Sequence, residues 1–239
     1  MNPGKTESRL RVGVIGAGPV GIILAQALAG AGHLISGIHA TSPQSLENID
    51  AMLPQVSVLE IQDLLAASDL VLLAIPEDQI QSSVEGWAKL GLFTPGQLLI
   101  HTAAEHGIGV LSAAAAAGVI PLAIHPAMRF TGTSLDLARI RESFFAVTAP
   151  AVAVPIGQAL VIEMGAEPVV ITDADRPKYA EAVAVASGFS ALIVNQAIGL
   201  LNEIEVVSAR ELLGPLVRSS VEVALAEGFQ DIQPEDLEG

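Results

Sequence analysis

The stretch RVGVIGAGPVGIILAQAL, residues 11–28, lies almost at the start of the chain and admits three readings. With Arg9 and Arg11 ahead of an apolar run, it has the outline of a signal peptide. Its apolar length also resembles a membrane helix. Its glycines, Gly16, Gly18 and Gly21, have the G-x-G-x-x-G spacing of a dinucleotide-binding turn. The neighbours decide. Residues 10–15 are short, apolar and rich in β-branched side chains, which reads as a buried strand. Residues 22–28 follow a helical pattern that Gly30 and Gly32 close, and residues 33–38 read as a second strand. Strand, glycine turn, helix and strand within about thirty residues is the setting the fingerprint requires. Gly16, Gly18, Pro19 and Gly21 leave less than the roughly 20 good helical residues that a membrane span needs. No cleavage site precedes a separate mature domain, because the strand-helix rhythm continues without pause.

Each glycine has its own task in this reading. Gly16 permits the tight turn, Gly18 lets a pyrophosphate approach the backbone, and Gly21 lets the helix pack closely on the strand. The free N–H groups and positive dipole end of the helix then face the phosphates. Ala17, Pro19 and Val20 complete the turn. A second strand that binds NAD usually ends in Asp or Glu, which holds the ribose 2′-hydroxyl. Here it ends in His39 and Ala40, followed by Thr41, Ser42 and Ser45. No carboxylate repels a 2′-phosphate and three hydroxyls are placed to bind it, which favours NADP over the alternative, NAD. No Arg stands there, and the same hydroxyls also fit a loop that caps a helix starting near Leu46.

Composition agrees with a cofactor bound by backbone rather than by a basic patch. Of 239 residues, 51% are hydrophobic and only 3% aromatic, so the core is built from small aliphatic side chains, as in helices packed on a parallel sheet. The net charge of −15 argues against nucleic acid and anionic membranes as partners. With no cysteine, thiolate metal sites, disulfides and thiol catalysis are excluded, and a cytoplasmic location is expected. The five histidines show no ligand spacing, so no metal is expected.

The rhythm runs on. Strands are expected at 56–59, 70–75, 97–102, 120–124, 144–148 and 169–171, with helices at 61–67, 80–90, 109–117 and 153–164. Parallel strands with helical crossovers make a doubly wound α/β sheet over residues 1–172. From 173 to 239 the character is helical: one long helix at 174–205, apolar on nearly every face, then helices at 208–213 and 215–227 and an acidic, frayed tail. An all-round apolar helix must be buried, so this all-α domain is expected to form a homodimer.

This order of parts resembles a dehydrogenase group with an N-terminal Rossmann domain and a helical dimerising domain. It includes pyrroline-5-carboxylate reductases, prephenate dehydrogenases, β-hydroxyacid dehydrogenases, 6-phosphogluconate dehydrogenase-like proteins and deazaflavin-dependent NADP reductases. LVLLAIPEDQI, residues 70–80, is similar to the group's fourth strand and the turn after it. The resemblance implies that Ala74, Ile75, Pro76 and Gln79 line the nicotinamide side. IHTAAEHGIGVL, AIHPAMRFTGT and RESFFAVTA resemble, more narrowly, a bacterial family of unassigned oxidoreductases with a Rossmann-like and a helical domain. That family's long helix carries a Tyr-His pair and an Asn; here Tyr179 is followed by Ala180, and Gly188 takes the Asn place. The family's C-terminal Gly-Pro and Arg-Gly-Asp segment is not matched either. The departures keep a non-catalytic, NADP-binding sensor or interaction protein open.

His125 is the leading catalytic candidate, in a loop following the 120–124 strand at the sheet's ligand edge, where a near-neutral proton donor suits hydride transfer. Prephenate dehydrogenases carry a similar His-Pro-Met turn, with the His near substrate. A loop-orienting role is the alternative. Arg129 has the chemistry to clamp a substrate carboxylate, or it pairs with Asp136 or Glu142. Thr131 and Thr133 bind substrate or form the turn. Thr102 is placed to touch the nicotinamide ribose, His101 ends the same strand, and His106 reads as a helix-start residue. Tyr179 is a proton donor or an interdomain packing residue with its hydroxyl at the surface. Lys178 lacks the Asn four residues on that β-hydroxyacid dehydrogenases use, because Ala182 stands there. The expected function is an NADP-preferring oxidoreductase. Its substrate would be a small, anionic carbonyl, imine or hydroxy acid bound at the interdomain cleft, with a prephenate- or arogenate-type dehydrogenase as a further alternative.

Overall fold

The structure, a computed structural model, describes residues 9–228. Its centre is a seven-stranded sheet in the order β2-β1-β3-β4-β5-β6-β7. The strands are β1 (Arg11–Ile15), β2 (Leu34–His39), β3 (Leu70–Leu73), β4 (Leu98–His101), β5 (Ile120–Pro126), β6 (Phe144–Thr148) and β7 (Glu167–Val170). β3 and β4 are buried at every position, as expected for strands covered on both faces. Side chains alternate between the two layers. Leu70 and Leu72 point to the layer of α1 (Pro19–Gly30), α2 (Pro43–Met52) and α7 (Val154–Glu163). Val71 and Leu73 point to that of α3 (Ile61–Ala67), α4 (Glu77–Lys89) and α5 (Ser112–Ala116). The sheet is therefore doubly wound. β1 lies between β2 and β3, so the chain's course reverses there and opens a crevice beyond the strand ends.

Several elements differ from the sequence-based expectation. Residues 56–59 make only a single parallel bridge, Val58 with Ile38. The chain follows β2 at the sheet edge for two backbone bonds, then leaves, with Val58 half exposed. The expected helix at 109–117 divides into a 3-10 turn (Ile108–Leu111) and the short α5, after Gly107 and Gly109. β5 is two residues longer than expected, because β6 pairs with it antiparallel and carries the ladder to Pro126. The sheet is thus mostly, not wholly, parallel. A short α6 (Leu135–Ile140) lies in the β5–β6 connection.

The reversal has a geometric effect. His101, the end of β4, pairs with Ala123, so His125 and Pro126 project beyond β4. β6 and β7 run back toward that level, where Val170 pairs with Val147 and Val147 with Ile124. The segment after β7 is delivered to the C-terminal rim of β4 and β5.

That segment begins with a 3-10 turn (Asp173–Asp175) capped by the Thr172 hydroxyl and continues as α8 (Arg176–Ala184). A π-helical turn (Val185–Phe189) and α9 (Ser190–Glu203) follow. Helical residues run through 173–203, as expected but for the π turn, whose Ser187 hydroxyl donates to the Val183 carbonyl at 2.8 Å. This span is long and apolar enough to cross a membrane, and none of its most apolar window is buried. The two expected helices at 208–213 and 215–227 are one, α10 (Ala209–Glu227), with Pro215 inside. Its flanks, Arg210 to Leu213, are strong helix formers that offset the lost N–H of one proline. The acidic tail expected to fray lies outside the described residues. Contacts divide the chain into two compact units, one ending at Glu181 and one beginning at Ala182, whereas the sequence placed its boundary between 172 and 173.

Candidate functional site

The β1–α1 turn is shaped by its first and third glycines. Gly16 has φ +101°, and a Cβ there would also collide with the Ala74 carbonyl. A Cβ on Gly21 would collide with the Gly16 carbonyl, so helix and strand approach as closely as backbone allows. Gly18 is different: its missing side chain faces open space, with no atom within 4 Å. It is the N-cap of α1 and offers no side chain to the first N–H groups of that helix. An anion can approach there without displacing anything. The Asn48 amide fixes the turn from beneath by donating to the Ala17 carbonyl at 3.3 Å.

A cavity of about 440 Å³ opens over this turn. Of the residues expected to hold cofactor, Gly16, Ala17, Gly18, His39, Ala40, Thr41, Ser42, Ser45, Ala74, Ile75, Pro76 and Gln79 line it. Pro19, Val20, Gly21 and Thr102 are not in its lining. Pro19 opens α1, Val20 packs on the core, and Gly21 supports the turn from below. Thr102 turns its hydroxyl toward the Leu73 carbonyl at 3.5 Å. Ile15, Ile61, Ser83 and Trp87 line the cavity although the sequence reading missed them. Ser83 and Trp87 follow Gln79 at i+4 and i+8 on α4, so helical spacing from Gln79 could have found them.

At the β2 end, His39 has Nδ1 2.8 Å from the Leu59 carbonyl, so Nδ1 carries the proton and Nε2 is the other face of the ring. Ser42 caps α2, which starts at Pro43 rather than near Leu46. The Ser42 oxygen accepts from the Ser45 N–H at 3.1 Å, and its hydroxyl donates to Ser45 Oγ at 2.8 Å. The hydroxyls both cap the helix and line the cavity, so the two sequence readings of them are compatible.

The second group of candidates gathers at the C-terminal rim of β5. His125 is in the strand itself, opposite Ala146, and not in the loop the sequence suggested. Its Nδ1 is 2.8 Å from the Tyr179 hydroxyl, with the rings edge to face at 5.5 Å. Tyr179 therefore does not present its hydroxyl to the surface as a mere packing residue. Burial, with a smaller contribution from the Arg176 charge, pulls the His125 imidazole down to about 4. Burial pushes the Tyr179 phenol up, and Arg176 opposes that.

Arg129 is not brought to this pair. It is exposed and pairs with neither Asp136 nor Glu142 among the described residues. Arg139 takes Asp136 instead, at 3.2 Å. Asp136 is fully buried and accepts the Thr131 N–H (2.7 Å), the Gly132 N–H (2.9 Å) and the Thr131 hydroxyl (3.0 Å). Burial opposes its ionisation, but these donors outweigh it and hold the carboxyl below the usual range. Thr133 meets Thr131, hydroxyl to hydroxyl at 2.9 Å. The loop so fixed lies against the glycine turn: a Cβ on Gly132 would touch Pro19.

His101 is a loop organiser. Its Nε2 donates to the Gly107 carbonyl at 2.9 Å and its Nδ1 accepts the Ala103 N–H at 3.2 Å. Burial draws it down to about 4. His106 precedes the 3-10 turn rather than starting an α-helix. Lys178 pairs with Glu181 at 2.7 Å. Among the described residues no three His, Cys, Asp or Glu side chains gather as a metal site.

Residues 1–126 match the model of the Rossmann-like domain, and residues 143–234 match that of a domain of unknown function, DUF2520. No curated protein matches the chain. Among solved structures the chain is similar to a 1-pyrroline-5-carboxylate reductase from Streptococcus pyogenes. Identity is 17%, the TM-score is 0.68, and 95% of this chain and 83% of that one are covered. It is similar to a Streptomyces aurantiacus imine reductase, with 18% identity, TM-score 0.67 and coverage of 89% and 73%. A Plasmodium falciparum pyrroline carboxylate reductase with NADP bound matches at 15% identity and TM-score 0.63, covering 94% and 80%.

Proposed function

The chain belongs to the Rossmann-like domain family, and from that premise we propose that it is an NADP-preferring oxidoreductase of a small, carboxylate-bearing carbonyl, imine or hydroxy acid. One observation carries the reading. Gly18 leaves open space at an uncapped helix N-terminus, in a cavity between the ends of β1, β2 and β3. That cradle fits a pyrophosphate. His39, Thr41, Ser42 and Ser45 would hold the ribose end, where an acid would repel a 2′-phosphate and none stands. The folds it resembles include reductases, one of them with NADP bound.

A nicotinamide cofactor supplies hydride when bound. The chain's own part is to position and protonate. Tyr179 and His125 form a hydrogen-bonded pair at the strand rim from which a proton can reach a substrate oxygen or nitrogen. Arg129, exposed and without an ion-pair partner among the described residues, would be available to an anionic substrate. A second reading, nucleotide binding without turnover, is favoured by Ala180 and Gly188 standing where the resembled family has His and Asn.

The homodimer belongs to the same proposal. Phe189, Leu192, Ile193 and Leu200 of the helical region are each more than half exposed, and a second copy would cover them. A cytoplasmic location is also part of it; the zero cysteine count accords with a reducing compartment.

Thermal unfolding with NADP(H) and NAD(H) tests the nucleotide reading. A ligand at a hundred times its Kd stabilises the fold by about 2.7 kcal/mol. Stabilisation is expected, larger with the phosphorylated cofactor, and no shift with either removes the oxidoreductase. Sedimentation of the detergent-free protein tests the dimer: a monomer, or recovery only with membranes, removes it.

A further inference from the structure

Arg176, the first residue of α8, is fully buried, yet no carboxylate touches it among the described residues. Its Nε donates to the Thr148 hydroxyl at 2.7 Å. Its Nη2 donates to the carbonyls of Ala123 (2.7 Å) and Ala146 (3.1 Å), and its Nη1 to that of Ala103 (3.4 Å). Every acceptor is neutral. Asp173, the acid whose charge reaches it, gives an oxygen to the Ile108 N–H at 2.7 Å. Burial draws the guanidinium down to about 10, which still leaves it a cation at neutral pH. Buried arginines are ordinarily paired, and neutral hydrogen bonds solvate a charge without cancelling it. A staple across β5 and β6 would need donors, not a charge. Besides Asp173 and His101, the charge has the Tyr179–His125 pair beside it. The guanidinium carbon lies 5.8 Å from the centroid of the Tyr179 ring, and Tyr179 bonds His125.

We propose that Arg176 is a positioning residue that fixes the protons of the His125–Tyr179 pair: imidazole neutral with its proton on Nδ1, phenol proton free to leave toward substrate. The proposal rests on reading that pair as the proton-handling half of an oxidoreductase. A fixed cation behind the pair disfavours a second positive charge on the imidazole and favours negative charge on the phenol oxygen. When the Oη–H bond breaks toward substrate, the electron pair stays on Oη as phenolate. The Nδ1 proton then moves to Oη while Nε2 takes one from water. One proton has passed from water to substrate, leaving hydroxide to the solvent. The imidazole ends neutral but with its proton on Nε2, and exchange of that proton with water, with the phenol O–H turning back toward substrate, restores the Nδ1–H form. The other titratable groups around the pair do not set this state. His101 is neutral and bonded to Gly107 and Ala103, Asp173 is bonded to Ile108, and the Lys178–Glu181 pair is exposed. His106 acts on His101.

The test compares the wild-type protein with Arg176→Lys, which keeps the charge, and Arg176→Gln, which removes it. The imidazole nitrogen resonances of His125 are followed by NMR from pH 3.5 to 8. The wild type and the lysine variant are expected to stay neutral with Nδ1 protonated down to about pH 5. In the glutamine variant the midpoint should rise by about one pH unit or more. Tyr179 is the chain's only tyrosine, so the phenolate absorption band reads its titration alone. That midpoint should lie higher in the glutamine variant than in the wild type. A structural staple would leave both titrations alike in all three proteins, and that result overturns the proposal. Should the glutamine variant not fold, the wild type decides by itself: a charged imidazole at pH 5.5, or the proton on Nε2, overturns it. Quenching of Trp87 by NADPH in the wild type reads the nucleotide proposal separately, because Trp87 lines the cavity over the glycine turn, which neither His125 nor Tyr179 lines.

Discussion

His125 Nδ1 and the Tyr179 hydroxyl, 54 positions apart in the chain, lie 2.8 Å apart at the rim of the sheet. If this pair delivers a proton during reduction, Tyr179→Phe keeps the ring contact and removes the proton. Turnover should fall by about 10²- to 10⁴-fold, the range of general acid catalysis, while the Kd for NADPH stays within about twofold. Steady-state rates beside a Trp87 fluorescence titration make the comparison. Full activity in the phenylalanine variant would remove Tyr179 from the chemistry.

Cofactor choice is tested at His39. His39→Asp places a carboxylate where the ribose lies in NAD-binding units and where a 2′-phosphate would be repelled. NADPH should bind at least about tenfold more weakly, and NADH no more weakly than before, a change of roughly 1.4 kcal/mol in relative affinity. Trp87, the chain's only tryptophan, lines the cavity and emits where the reduced cofactor absorbs, so its quenching gives both constants. Unchanged selectivity would move the ribose end elsewhere.

Two glycines of one turn should respond oppositely to alanine. Gly18→Ala meets no protein atom, so the fold should lose less than about 0.5 kcal/mol while cofactor binding falls sharply. Gly21→Ala meets the Gly16 carbonyl and should destabilise by about 1–3 kcal/mol, the usual cost of overpacking. Denaturant midpoints and NADPH titrations on both variants separate the two effects. A stable Gly18→Ala protein that binds as the wild type does would contradict the cradle.

Stability should depend on pH through two histidines. His101 and His125 are both drawn down to about 4 in the native protein, whereas an unfolded chain holds them near 6.5. Between those values the unfolded state binds more protons than the native one. Their contribution is therefore complete above about pH 6.5 and is lost as pH falls toward 4, with a slope of up to roughly 1.4 kcal/mol per pH unit for each histidine. Urea midpoints from pH 7.5 to 4.5 should fall, and the His125→Gln variant should fall less steeply. A flat profile for the wild type would mean the rings are not held neutral.

Much of the first half of the molecule is written in short stretches. The glycine turn, α1 and the apolar run at residues 70–73 each carry a local signal, and most residues expected around the turn do line the cavity. Strand direction is not local. FFAVT reads the same whether it lies with or against β5, so the reversal of β6 and the placing of His125 within a strand could not be read there. Tyr179 was visible as a candidate, but its partner was not, because only the reversed strands bring α8 back to the rim. Arg176 carries no motif; what singles it out is that no carboxylate touches it among the described residues, which a sequence does not display. Pro215 misled in the ordinary way, as a helix breaker inside a helix that tolerates it.

The cavity over the glycine turn is lined entirely by residues up to Trp87, and the His125–Tyr179 pair with its arginine lies wholly after it. The chain is segregated along its length. Under the proposed function, point changes that retune the nucleotide and point changes that retune proton delivery would fall in separate stretches of the gene, so recombination between relatives at a single crossover near residue 100 would exchange one without rewriting the other. The loop at Gly132, resting on Pro19, is where such a hybrid would have to fit.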